Sequence, residues 1–150
     1  MPYATSANLT ERFGTAEIQQ LSDRELPSAG GIVATVVDRA LADADGVINR
    51  YLGARFVVPL ALPYPQDLVR VACDIARYML HDLSVPEQVR QHYEDSLTWL
   101  RLVGDGKLPL VADTGESIPT KGSGSFSRLA VSGYPSGSTF GDSFASAWAP

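Results

Sequence analysis

The chain has 150 residues, 45% of them hydrophobic, which suits one domain of ordinary size with a real core. Its formal net charge is −5, with 17 acidic against 12 basic side chains. Nucleic-acid binders draw affinity from Lys and Arg on phosphates, so this balance argues against them, and no basic run reverses it. The single cysteine, Cys73, excludes an internal disulfide and any need for an oxidising compartment. It reads as a small buried hydrophobe.

Taken in order, Thr5–Phe13 reads as a short helix with Ser6 as its cap and Gly14 as its stop. The start, Met1-Pro-Tyr-Ala-Thr-Ser, lacks the basic and apolar regions of a signal peptide. Thr15 opens a second short helical turn, whose Ile18 and Leu21 are placed to pack on Leu9 and Phe13. The segment Ser22–Gly31 is a loop of turn formers.

A long helix is expected over 32–52. Val33, Val36, Val37, Ala40, Leu41, Ala44, Val47, Ile48, Tyr51 and Leu52 form a wide apolar face. Gly46 lies inside it at a cost of roughly 1 kcal/mol relative to Ala, which suggests a bend or a close helix crossing. Asp43-Ala-Asp45-Gly46 superficially resembles a calcium loop, but the remaining ligands and the closing Glu are missing. Arg55-Phe-Val-Val58 is a short β-prone run.

The central helix is expected over 66–83, entered through Pro65. Leu68, Val71, Ala72, Ile75, Met79 and Leu83 recur at three- and four-residue steps and share one face. Arg70, Asp74, Arg77 and His81 form a second ridge, in which Asp74 can pair with both arginines. Exposed pairs of this kind contribute only about 0.3–0.5 kcal/mol each, so the ridge is either a solvated face or a subunit interface. Ser84-Val-Pro-Glu87 restarts the chain as a third helix, 86–103, striped by Val89, Tyr93, Leu97 and Leu100 and stopped at Gly104-Asp-Gly106.

From Lys107 the composition turns to Gly, Ser, Thr and Pro, giving two expected regions: a helical domain over 1–106 and an extended arm over 107–150. Leu108, Leu110 and Val111 alternate weakly and suggest one strand. Phe126, Leu129, Tyr134, Phe140, Phe144 and Trp148 are spaced without helical period, and such a stretch cannot build its own core. It is either an idle tail or a binding arm with these residues as anchors; the arm is the preferred reading. The fold class is mainly α: a small helical bundle with two to three long helices, short N-terminal helices and an extended C-terminal arm.

The inventory supports no catalytic, cofactor or metal site. His81 and His92, the only histidines, sit in no metal-ligand pattern. Neither Gly30-Gly31 nor the C-terminal glycines have phosphate-loop spacing, Gly133 and Gly137 flank no nucleophile-elbow serine, and no nucleophile, base and orienter stand at usable spacing.

A family pattern runs through these elements: Tyr3-Ala-Thr-Ser-Ala-Asn-Leu9, Arg12-Phe-Gly14, Gln20-Leu-Ser-Asp-Arg24, Arg39-Ala-Leu-Ala-Asp-Ala44, Ile48-Asn-Arg-Tyr-Leu52, Arg55-Phe56, Pro59-Leu60, Val69–Tyr78, Val85-Pro-Glu87 and Tyr93–Leu97. In order and spacing it resembles the Mu-like phage and prophage head–tail adaptor (connector, neck) proteins, over about residues 3–110. The resemblance implies a mostly helical virion protein without catalytic residues. It implies a ring, commonly dodecameric, between the portal protein and a downstream neck or tail protein, with genomic DNA passing through. The expected location is the virion neck, after assembly in the host cytoplasm. The ridge Arg70, Asp74, Arg77 and the arm are the expected interfaces. A tail-completion or terminator protein is the alternative, and a small helical DNA-binding regulator a weaker one.

Overall fold

A computed structural model describes residues 2–24, 30–82 and 84–122. Among them are five helices: α1 Ser6–Phe13, α2 Thr15–Ser22, α3 Ala34–Leu52, α4 Gln66–Leu80 and α5 Glu87–Gly104. The fold is mainly α, as expected. α4 lies at its centre, packed on α3 along one side and α5 along another, while α1 packs on both α3 and α4.

Local chemistry explains the ends. Thr5, one residue before the expected cap, starts α1: its Oγ1 accepts from the Asn8 backbone N–H, and Asn8 Oδ1 accepts from the Thr5 N–H at 2.9 Å. Gly14 follows with φ +89°, a conformation that disfavours side chains, and the chain turns straight into α2. Pro65 and Pro86 stand at the caps of α4 and α5, where no intrahelical N–H is needed. One free donor of α4 is satisfied from far away: Gln66 N–H donates to Asp113 Oδ1 at 3.1 Å.

α4 ends earlier than its apolar spacing suggests. The helix stops at Leu80, and His81 is already extended. His81 therefore leaves the expected ridge, and Leu83 lies outside the described residues. The middle of α4 is buried without interruption from Val71 to Ala76. Periodicity shows one apolar face, but α1 and α5 cover the other sides as well.

The close helix crossing is at Gly104, not Gly46. A Cβ on Gly46 would meet nothing within 4 Å, whereas one on Gly104 would stand 2.7 Å from the Tyr51 carbonyl oxygen. The ends of α3 and α5 approach so closely there that only a missing side chain leaves room.

Residues 107–122 fold back onto the helices, so the packed region runs past the expected boundary at 106. Leu110 joins the core, Ile118 packs against it, and Ile118 N–H donates to the Leu110 carbonyl at 2.9 Å. The expected strand is reduced, among the described residues, to two isolated antiparallel bridges, Val111 with Ser117 and Phe56 with Thr120. The second gives the β-prone Arg55–Val58 run its partner, and the turn at Lys121–Gly122 follows it.

Candidate functional site

Three places gather side chains that a solvated bundle would not need to gather. The first is an open cleft of about 440 Å³ where α1, α4 and α5 meet, lined by Arg12, Phe13, Arg70, Asp74, His92 and Asp95. Asp74 is its floor. Only 7% of it is exposed; Arg70 Nη1 lies 3.4 Å from its Oδ2, and Ser96 Oγ from α5 donates to the same oxygen at 3.5 Å. Burial pushes the Asp74 carboxyl above the ordinary range, opposed by Arg70, His92 and Arg12 and by the Ser96 hydroxyl. Desolvation outweighs the cations because Arg70 keeps 41% of its side chain in solvent, where its field is screened.

The expected ridge is thereby corrected. Arg70 and Asp74 pair at i,i+4, but Arg77 turns away from Asp74. Its Nε donates to Glu17 Oε1 of α2 at 2.6 Å, and its guanidinium lies 4.4 Å from the centre of the Phe13 ring. Arg77 thus clamps α1 and α2 onto α4. A ridge read from one helix cannot show which neighbour its charges will meet.

Beside Asp74, Cys73 is fully buried, and burial pushes its thiol up to about 11. Such a thiol holds almost no thiolate near neutrality, which fits the reading of a packing residue.

The second place is the seat of Tyr3, only 2% exposed. Its hydroxyl donates to Asn49 Oδ1 at 2.5 Å and accepts from Leu60 N–H at 3.2 Å. Its own backbone N–H donates to Asp45 Oδ1 at 2.9 Å, and its ring meets Tyr64 edge-on with centroids 5.0 Å apart. One residue therefore ties the N-terminal segment, α3 and the Pro-rich loop over 59–65 (Pro59, Pro63 and Pro65) together. Asp45 serves this tether, with its carboxyl raised chiefly by burial. Among the described residues no group of His, Cys, Asp and Glu could hold a metal ion. The family pattern contained Tyr3 and Asn49, but their contact, separated so far in sequence, was not legible from it.

The third place is apolar. A groove of about 400 Å³ runs between the Pro-rich loop and the 112–120 segment, with Val57, Leu60, Leu62, Ile118 and Pro119 in its walls and Glu116 at its side. Val57 is 67% exposed and Leu62 60%. The expected arm anchors Phe126, Leu129, Tyr134, Phe140, Phe144 and Trp148 lie outside the described residues. Among the described residues no helix is long and apolar enough to cross a membrane.

The fold is mainly helical, and comparison with known proteins supplies its relations. A model of the family described as Bacteriophage Mu, Gp36 matches residues 3–128. The Mu-like prophage FluMu protein gp36 of Haemophilus influenzae is 35% identical over 120 residues, covering 79% of this chain and 83% of that protein. Gene product J of Escherichia phage Mu is 37% identical over 107 residues, covering 71% and 74%. The chain belongs to the Bacteriophage Mu Gp36 family, a family of Mu-like phage proteins. The matched region runs beyond residue 110, where the sequence resemblance faded, and takes in the folded-back segment.

Proposed function

We propose that this protein is a structural component of the virion that joins the phage head to the tail: a neck adaptor that forms a ring between the portal protein and the next neck or tail protein. The observation that carries the reading is membership of the Mu Gp36 family over most of the chain, together with the resemblance of its motifs to head–tail adaptors. Two physical features support it. A chain of net charge −5 around a DNA channel repels phosphate and lets the genome pass without being trapped. A ring also needs two different complementary faces on each subunit, because a heterologous contact closes only by rotation. The mixed-charge outer face of α3 (Asp38, Arg39, Asp43 and Arg50) is exposed and supports the reading as one of these faces.

In this reading the C-terminal residues reach a portal or neck partner, and the protein performs no chemistry. The deciding experiment is a stop codon early in the gene within the phage genome, followed by electron microscopy of the lysate. Filled or leaked heads beside separate complete tails are expected. Normal joined virions would overturn the joining role. Joined particles with malformed tails would move the protein to tail completion.

A further inference from the structure

The apolar groove has no occupant among the described residues, and it lies where the described chain ends. Thr120 is both part of its wall and the bridge partner of Phe56. Lys121 N–H then donates to the Arg55 carbonyl at 2.7 Å, and Gly122 takes φ +84° in the closing turn. The chain is thus pinned beside the groove immediately before its last segment, residues 123–150. That segment opens with Phe126-Ser-Arg-Leu-Ala-Val131, three large apolar side chains around one cation.

We propose that Phe126–Val131 of the same chain docks into this groove. Phe126 is within about 14 Å of Gly122 along an extended chain, and Thr120, two residues before Gly122, lines the same groove as Val57 and Leu62. Tethering raises the local concentration to the order of millimolar, so the chain's own segment outcompetes that of another copy at micromolar protein. The chemistry matches: apolar walls take Phe126, Leu129 and Val131, and Glu116 beside them takes Arg128. The matched family region ends at residue 128, so its shared length includes Phe126 and Arg128 but not the later aromatic residues. Phe126 and Leu129 then serve the subunit's own surface, and Tyr134, Phe140, Phe144 and Trp148 remain for a partner. The inference does not depend on the adaptor role, and its failure would leave that role standing.

The test is methyl and aromatic NMR on the full chain. Nuclear Overhauser contacts from the Phe126 ring to the Leu62 and Val57 methyls are expected within one molecule. The double variant Phe126→Ala/Leu129→Ala should shift those methyl signals and speed amide exchange at Leu62 about fivefold or more, the signature of a lost local closure. Phe144→Ala/Trp148→Ala should do neither. Absence of the contacts, or an equal response to both double variants, overturns the proposal. So does a mixed sample of labelled and unlabelled chains in which the contacts prove to be between molecules.

Discussion

The α4 cleft and the Pro-rich groove invert the usual pattern of a protein surface. In the cleft a carboxylate, Asp74, is buried and partly paired; in the groove aliphatic side chains stand in the open. In the cleft Arg70 pairs with Asp74 along α4 and Ser96 of α5 reaches the same carboxylate, while next to it Arg77 of α4 pairs with Glu17 of α2. The groove's side chains hold nothing of comparable extent among the described residues. The two regions thus differ in kind: the cleft's buried polar contacts join helices, while the groove exposes an apolar patch among the described residues.

The largest effect that tests this contrast comes from truncating one apolar residue in each region. Ile75, fully buried in α4, should lose about 2–5 kcal/mol of stability on change to alanine. Leu62→Ser should change global stability by no more than about 0.5 kcal/mol, because whatever covers Leu62 can open before the helices unfold. Chemical denaturation of both variants checks the pair; similar losses would mean that the groove is part of the core.

Next in size is the crossing at Gly104. Gly104→Ala places a Cβ against the Tyr51 carbonyl, and backbone there has no rotamer to yield. A loss of about 1–3 kcal/mol is expected. Gly46→Ala, in open space on an exposed part of α3, should instead gain about 0.5–1 kcal/mol through helix propensity and a less free unfolded chain. Thermal unfolding of the two variants should therefore move in opposite directions.

The smallest effect is also the most specific to the cleft. Burial raises the Asp74 carboxyl, so the folded state holds its proton more tightly than the unfolded state does. Its contribution to stability is fully present below the unfolded carboxylate value and is lost as pH rises through the higher folded value. Asp74→Asn removes that titration. Measured against pH, the stability of the wild type should fall relative to the variant on going from strong acid to neutrality. A wild type that gained on the variant over that range would show that Arg70, His92 and Arg12 dominate over burial.

The bundle itself was legible. Apolar steps of three and four residues, with Gly14, Pro65, Pro86 and the Gly104–Gly106 stop, placed five helices within a few residues of their ends. Where the reading missed, the missing information was non-local. Gly46 drew attention because it sits mid-helix, yet the glycine that matters, Gly104, looked like an ordinary helix stop, since only the position of α3 brings the Tyr51 carbonyl to it. Asp113 lay in a stretch read as an arm, and nothing in its neighbourhood suggested that it would satisfy the first turn of α4.

Helix positions, the central place of α4 and the packing role of Cys73 follow from periodicity and side-chain chemistry, which act over a few residues and can be read along the chain. The destinations of the charges cannot. Arg77 could pair equally with Asp74 on its own helix or with Glu17 on α2, and the choice fell to Glu17 because α1 and α2 pack across that face and bring the Phe13 ring with them. The same holds for the groove: Val57 and Leu62 are ordinary apolar residues in sequence, and they became a surface only when residues 107–122 folded back beside the Pro-rich loop and left the two of them uncovered.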